Sequence, residues 1–359
     1  VYLPSRHNVF IPASTEENRL DIPVFRLLGP DPIYNFEADV RNGLQGVYTM
    51  EPSWLVGRNP AFLRDYFSNL TGEKGFGIRY TQVGQENNFL WENIRPGLAP
   101  QLEMIAGLAA KGLIRLETMA ATGRWFAQQY RLTPPLMLQA DAVWTGGGLC
   151  AQWYASVNYR LGLLGENGRL RIRDLFLYRE DYPGRYLSRR MWGTKSTFDA
   201  LPVLFPQIWG NAADRPFLRF VDENGAEPSG QILFDAADCR TAQAQLFHEG
   251  QSLLQLRMAP AGITLSGPYR LHFDRLPVLR EVEGHQLRME YGGFAYHITV
   301  AQGRILPPFG DGLEISPEGG RIRLIFGLEP ETERREERIP VPATGWIVCA
   351  AFPINTTRP

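Results

Sequence analysis

Hydrophobic and polar positions alternate between two kinds of pattern in the first third of the chain. Short apolar or β-branched runs bounded by turn residues predict strands, at 8–12, 21–29, 46–50, 75–83 and 113–118. Apolar residues at helical spacing predict helices between them, at 59–67, 97–112 and 121–130. Asn59 can cap the first of these helices, and Pro60 suits its first position.

This strand–helix alternation predicts parallel strands joined by right-handed crossovers. The pattern gives four or five such strands, fewer than the eight of a closed (β/α) barrel. We therefore predict a TIM-like (β/α) barrel, complete or partial, over residues 1–135. Two explanations of the low strand number stay open: an upstream segment or a partner chain completes the barrel, or the sheet is open.

After Pro135 the helical spacing largely disappears. Short runs of alternating apolar and polar residues separated by glycine, asparagine and proline take its place, as in antiparallel sandwiches. They occur at 152–159, 170–178, 232–234, 253–258, 262–266, 269–273, 287–291, 295–300, 320–326 and 346–351. The predicted fold class is therefore α/β plus all-β, with an antiparallel β-sandwich over residues 136–359 following the barrel.

Composition narrows the classes of function. A chain of 359 residues with 44% hydrophobic residues is long enough for two domains with sizeable cores. Its net charge of −1 argues against electrostatic binding to nucleic acid or anionic membranes. No run of about 18 apolar residues is present, so no membrane span is predicted.

Cysteine and histidine spacing predicts neither a metal site nor a cofactor. The three cysteines are far apart and form no Cys-x-x-Cys pair, so a zinc site or a disulfide framework is not indicated. The five histidines form no His-x-His or His-x-x-x-His pair. Only three lysines occur, and the phosphate-binding Gly-x-x-x-x-Gly-Lys-Ser/Thr motif is missing.

Carboxylates follow three of the predicted strands near their ends, at Glu51, Glu86 and Glu117. Ligands bind at the carboxyl ends of parallel strands, and glycoside hydrolysis needs two carboxyl groups, one as acid and one as nucleophile or base. We predict Glu86 and Glu51 as this catalytic pair, with Glu117 in reserve because it can instead pair with Arg115 or Arg124. The alternative is that these residues only reflect the polarity common to strand ends.

Aromatic and amide residues accompany these carboxylates. An indole face covers the apolar side of a pyranose, although core packing is the more common role of tryptophan. Amides with aromatic rings suit a neutral, hydroxyl-rich ligand better than a phosphate or a hydride cofactor. The predicted substrate-binding residues are Trp54, Trp91, Trp125, Gln85, Asn87, Arg79 and Asp31.

Two of these residues have an alternative role. Asp31 lies in Gly-Pro-Asp-Pro, a sequence typical of a turn. Arg79 lies within a predicted strand, and a period of two does not decide whether its side chain faces the cleft or the opposite face.

Several segments resemble uncharacterised bacterial glycoside-hydrolase-like proteins, in which a (β/α) barrel precedes a β-rich C-terminal region. They are 25–34 (FRLLGPDPIY), 46–52 (GVYTMEP), 83–87 (VGQEN), 116–118 (LET) and 123–126 (GRWF), and the resemblance extends to 182–187 (YPGRYL). Residues 49–52 are also similar to the Asn-Glu-Pro of many retaining glycosidases, with Met50 in place of the asparagine. The resemblance implies a carbohydrate ligand.

Three hypotheses of function follow. The first is a glycoside hydrolase that acts on oligo- or polysaccharides. The second is a non-catalytic carbohydrate-binding or structural protein with a degenerate barrel, favoured by the low strand number and by Met50. The third, metal-dependent deacetylation, needs an Asp/His triad, and His7 is the only histidine among residues 1–200. The sequence leaves open whether the protein is cytoplasmic or exported.

Overall fold

The computed structural model describes residues 1–25, 51–53, 56–72, 75–84, 89–141, 148–184, 200–204, 217–328 and 346–350, the last of these by backbone only. Its α-helices, after a 3-10 turn at Val56–Arg58, are α1 (Pro60–Thr71), α2 (Trp91–Ala110) and α3 (Met119–Gln129). None of the helices in this part of the chain is long and apolar enough to cross a membrane.

The start of α1 is as predicted. The side-chain oxygen of Asn59 accepts a hydrogen bond from the N–H of Ala61 at 2.9 Å, and Pro60 occupies the first helical position. By contrast, α2 starts six residues before its predicted beginning at Gly97. Residues 91–96 are mostly exposed, so the apolar spacing that indicates a buried helix face begins only after them.

A small parallel sheet accompanies the helices. Its strands are β1 (Arg79–Val83), β2 (Arg115–Leu116) and β20 (Trp346–Ala350), with β20 in the centre. Side chains of α1 and α2 share an apolar cluster with β1 and with the neighbouring antiparallel sheet, including Phe62, Phe67, Val83, Ile105 and Leu164.

A nine-stranded antiparallel sheet has the order β17-β18-β13-β8-β6-β5-β4-β3, with β7 also paired to β6. Its strands are β3 (Leu136–Asp141), β4 (Leu149–Ala155), β5 (Tyr159–Glu166), β6 (Arg169–Leu177), β7 (Leu201–Leu204), β8 (Leu218–Val221), β13 (Arg270–Phe273), β17 (Arg304–Ile305) and β18 (Leu313–Ser316).

An eight-stranded antiparallel sheet has the order β14-β15-β16-β19-β12-β11-β10-β9. Its strands are β9 (Gln231–Ala236), β10 (Ala242–His248), β11 (Gln251–Ala259), β12 (Gly262–Ser266), β14 (Leu279–Glu283), β15 (Gln286–Tyr291), β16 (Phe294–Gln302) and β19 (Arg321–Ile325).

The two large sheets face each other across the main core. This core joins side chains of one sheet, such as Leu161 and Ile172, to side chains of the other, such as Leu256 and Leu324. Polar contacts also cross it, because the Tyr159 hydroxyl lies 2.8 Å and 3.0 Å from the carbonyl oxygens of residues 259 and 262. These hydrogen bonds satisfy polar groups that would otherwise be buried alone.

The predicted TIM-like (β/α) barrel is wrong. Antiparallel sheets of eight and nine strands dominate the described residues, which contain three parallel strands and three α-helices. The local apolar spacing identified individual helices and strands, but it did not predict how many strands would pair in parallel. The division into two domains at residues 135 and 136 stays a prediction.

Individual strand predictions in the antiparallel region had mixed outcomes. The strands predicted at 170–178 and 269–273 are confirmed as β6 and β13. The run 152–159, however, is not one strand but the end of β4, a turn, and the start of β5. The N–H of Ser156 bonds the carbonyl of Tyr159 at 2.9 Å and closes this turn.

Candidate functional site

Half of the predicted site residues can be placed in the structure. Glu51, Glu117, Trp91, Trp125 and Arg79 belong to the described residues, whereas Glu86, Trp54, Gln85, Asn87 and Asp31 lie outside them.

Glu117 lies between β2 and α3. Its carboxylate forms an ion pair with Arg115 and accepts a hydrogen bond from Thr122 Oγ1 at 2.8 Å. The neighbouring Thr118 caps α3 by accepting a bond from the N–H of Ala121. The predicted alternative for Glu117, a pair with Arg115, is therefore confirmed.

The register of the parallel sheet places Glu117 relative to the end of β1. Leu116 of β2 and Thr81 of β1 both pair with Val348 of the central strand. Because neighbouring strands lie ~4.8 Å apart, the axes of β1 and β2 are ~9.6 Å apart. The two strands therefore end at the same edge of the sheet.

The two described tryptophans have different environments. Trp91 is the first residue of α2 and is 52% exposed, next to the exposed side chains of Phe89 and Leu90. Trp125 is half-buried and packs edge-on against Tyr130, with ring centroids 6.1 Å apart. An indole surface is therefore open to a ligand at Trp91, while Trp125 contributes to packing.

The Arg79 side chain binds the C-terminal end of α1. Its side chain is buried, and Nη1 lies within hydrogen-bond distance of the carbonyl oxygens of Asn69, Leu70 and Gly72, at 3.3, 3.1 and 2.9 Å. These carbonyls have no partner within the helix. Burial lowers the pKa of Arg79 to about 9, so the guanidinium still carries its charge at neutral pH. A structural role thus accounts for its position.

Glu51 is half-buried in a turn that rests on α2. The carbonyl of the next residue, Pro52, accepts a hydrogen bond from Arg58 Nε at 2.9 Å. Pro52 also packs so closely on Gly97 that a Cβ there would overlap its backbone. The turn is therefore fixed by its neighbours.

Sequence reasoning missed a charged network on the outer face of the nine-stranded sheet. Glu314 Oε1 lies 2.8 Å from His272 Nδ1, and Glu314 Oε2 accepts a hydrogen bond from Arg270 at 3.0 Å. On its other side, His272 Nε2 lies 3.4 Å from Asp274, and Phe309 stacks on the imidazole at 5.1 Å. Burial alone would raise the pKa of Glu314, but the bonds and charges of His272 and Arg270 outweigh it, so the pKa is lowered.

The same network continues across the sheet. Arg219 Nε donates to Asp274 at 2.6 Å and Nη1 lies 3.5 Å from Glu227, which in turn binds Arg171 through two hydrogen bonds of 2.7 and 2.9 Å. The network therefore links β18, β13, β8 and β6. One signal was available in the sequence, because positions 270, 272 and 274 alternate onto one face of a strand.

A second missed cluster is buried beneath the outer face of the same sheet. Asp174 is fully buried, with Oδ1 3.3 Å from Arg160 Nε and Oδ2 3.6 Å from Arg173 Nε. The Arg160 guanidinium also lies over the rings of Trp153 and Phe176, at 5.1 and 4.8 Å from their centroids. Buried charges of this kind are costly unless they are paired, which makes the cluster a candidate for function.

Metal ligation has no support in the described part of the chain, where no three His, Cys, Asp or Glu side chains are arranged to hold an ion.

Comparisons with known proteins add no assignment: no protein-family model, no curated protein and no solved structure matches this chain.

Proposed function

We propose that this protein is a glycoside hydrolase whose saccharide site lies at the carboxyl edge of the small parallel sheet. The observation that carries the proposal is the position of Glu117. It directly follows β2, and β20 is the one strand that lies between β2 and β1 in the sheet. Glu86 follows the last residue of β1 by three positions in the sequence. In the sequence a carboxylate thus follows each of these two strands, and hydrolysis of one glycosidic bond requires two carboxyl groups.

The strand spacing bears on the stereochemistry. Inverting enzymes hold their carboxyl groups roughly 6.5–9.5 Å apart, which leaves room for the attacking water, whereas retaining enzymes need about 5–5.5 Å. The axes of β1 and β2 are separated by ~9.6 Å, because β20 lies between them. This axis separation is closer to the carboxyl spacing of inverting enzymes than to that of retaining ones, so we expect inversion. Glu86 and Glu117 are the pair to test first, and Glu51 is the remaining candidate.

Trp91 supplies the second support for a sugar ligand. It begins the helix that follows β1 and its indole is half exposed, so one ring face is available to the apolar side of a pyranose. Glu92 beside it is also exposed and offers a matched control position.

Non-catalytic carbohydrate binding is the second candidate function. A specific observation favours it, since the Glu117 carboxylate is already engaged by Arg115 and Thr122. A carboxylate held in this way is less available for proton transfer to a substrate, while Trp91 would still bind a sugar ring.

The experiment is reducing-sugar release from a broad panel of oligo- and polysaccharides. Wild type is compared with Glu86→Gln, Glu117→Gln and the control Glu92→Gln. Loss of an acid or base is expected to lower turnover by about 10²–10⁴-fold, with the control unchanged. Turnover that survives both active-site substitutions would reject this pair, and NMR of the first product anomer would reject inversion if configuration is retained.

Binding measurements separate the second candidate. Saccharide binding without turnover, weakened by Trp91→Ala, would support a binding protein. If neither turnover nor binding is found with any saccharide, both functions are rejected.

A further inference from the structure

A small cavity lies on the outer face of the nine-stranded sheet. Its volume is about 70 Å³, and it is partly open to solvent. Apolar side chains form most of its wall, including Phe10, Pro134, Leu136 and Ala155. Arg160 is the only charged side chain among the described residues that line it.

Arg160 is held in one position. Its guanidinium lies between the rings of Trp153 and Phe176, and Nε, its nitrogen closest to Asp174, lies 3.3 Å from Oδ1. Asp174 is itself fixed, since it is fully buried and its carboxylate occupies the space above Gly162 where any Cβ would overlap it. A guanidinium fixed in advance loses little entropy when it binds an anion.

The terminal N–H groups of Arg160 have no hydrogen-bond acceptor among the described residues. Arg160 is 17% exposed, and no group in the described residues accepts a hydrogen bond from its terminal nitrogens. Asp174 offsets its charge only in part, because that carboxylate is shared with Arg173. The wall of the cavity thus presents a guanidinium whose terminal N–H groups are not bonded to the described residues, and hydrogen bonds from such a cation to a carboxylate are among the stronger ones.

Three hydroxyl groups around the cavity already form hydrogen bonds within the protein. Thr133 Oγ1 accepts from the N–H of Leu3 at 2.9 Å, Ser156 donates to the carbonyl of Pro260 at 3.1 Å, and Tyr2 donates to the carbonyl of Val9 at 2.9 Å. Such a wall does not offer the many polar contacts that a sugar requires. It suits a ligand that is anionic at one end and apolar elsewhere.

We propose that this cavity binds the carboxylate of a small aliphatic acid, with Arg160 donating to both carboxylate oxygens. A cavity of ~150 Å³ accommodates benzene, so a volume of about 70 Å³ encloses roughly the carboxylate, and the rest of a short aliphatic chain lies at the opening of the cavity. Arg and carboxylate match as a bidentate pair. This site is separate from the proposed saccharide site and does not depend on it.

The test is a titration of the full chain followed by NMR. Isobutyrate is compared with isobutyramide, which has nearly the same shape without the charge, and with inorganic phosphate, which has the charge without the apolar part. We expect saturable binding of isobutyrate at least tenfold tighter than that of either of the other two.

Two substitutions locate the binding. Arg160→Gln removes the cation, and Ala155→Leu fills the cavity while leaving Arg160 in place; each is expected to weaken isobutyrate binding at least tenfold. Arg169→Gln, at an exposed position at the start of β6, is the control and should bind as wild type does. Circular dichroism checks the fold, and if Arg160→Gln does not fold, Ala155→Leu decides.

Several results would overturn the proposal. They are the absence of saturable isobutyrate binding to wild type, equal binding of the amide, tighter binding of phosphate, and unchanged binding in Ala155→Leu.

Discussion

Gly162 is the residue at which the backbone of the nine-stranded sheet accommodates a buried charge. It pairs with Asp174 across β5 and β6, and the register shifts immediately afterwards, so that Arg173 is the extra residue of a β-bulge. The Asp174 carboxylate fills the space that a Cβ at position 162 would occupy. A side chain at this position would force the carboxylate away from Arg160.

We expect Gly162→Ala to lower the free energy of unfolding by about 2–3 kcal/mol, because it overpacks a buried site and disturbs an ion pair. The measurement is urea denaturation. Gly107→Ala is the control: Gly107 lies inside α2 with no atom near an added Cβ, so it should be stabilised by about 0.5–1 kcal/mol. Equal effects at both positions would contradict this account.

At the scale of secondary-structure elements, the charged network joins four strands through their outward-facing side chains. Glu314 of β18 is bonded to Arg270 and His272 of β13. Because these partners lower the pKa of Glu314, the folded state favours the ionised form. Its contribution to stability is therefore fully present above the unfolded pKa of about 4.3 and is lost as the pH falls through the lower folded pKa.

We expect wild type to be more stable than Glu314→Gln at pH 7, with a difference that shrinks as the pH falls below about 4. Urea denaturation of both proteins between pH 7 and pH 2.5 measures this difference. Glu290→Gln, at an exposed position in β15, should show no comparable loss. A stability difference between wild type and Glu314→Gln that does not change with pH would show that the ion pairs do not contribute.

At the scale of the whole molecule, one core connects the two large sheets. Leu256 of β11 is fully buried in the same cluster as Leu161 of β5. The strands of the eight-stranded sheet lie within residues 231–325, a stretch of sequence without tryptophan. Tryptophan fluorescence therefore reports on other parts of the protein, whereas circular dichroism reports on both sheets.

We expect the two probes to give coincident unfolding transitions, since sheets that share a core unfold together. Leu256→Ala is expected to lower the free energy of unfolding by about 2–5 kcal/mol and to shift the fluorescence midpoint as far as the midpoint from circular dichroism. Leu233→Ala is the control, at a position in β9 that is 43% exposed. Separate midpoints for the two probes would show that the sheets unfold independently.

The sequence alone determined local features whose causes are close together along the chain. The cap of α1 by Asn59 and the stop of α2 before Gly112, with its positive φ of 69°, each involve residues within a few positions. The pairing of Glu117 with Arg115 is equally local, but the sequence left it open beside Arg124 and a catalytic role. For the same reason, the strand β6 was predictable from its alternating pattern. Among the candidate site residues, the sequence selected carboxylates and tryptophans, but it did not distinguish exposed Trp91 from packed Trp125.

Only the tertiary structure decided how the strands assemble and which charges meet. The centre of the parallel sheet is a strand that begins at Trp346, far along the chain from β1 and β2. His272 and Glu314 are 42 residues apart in the sequence but share a hydrogen bond, and Arg160 meets Asp174 only because β5 and β6 pair with a bulge. Periodicity records which face of an element is buried, whereas strand order and register depend on distant partners that no local pattern names.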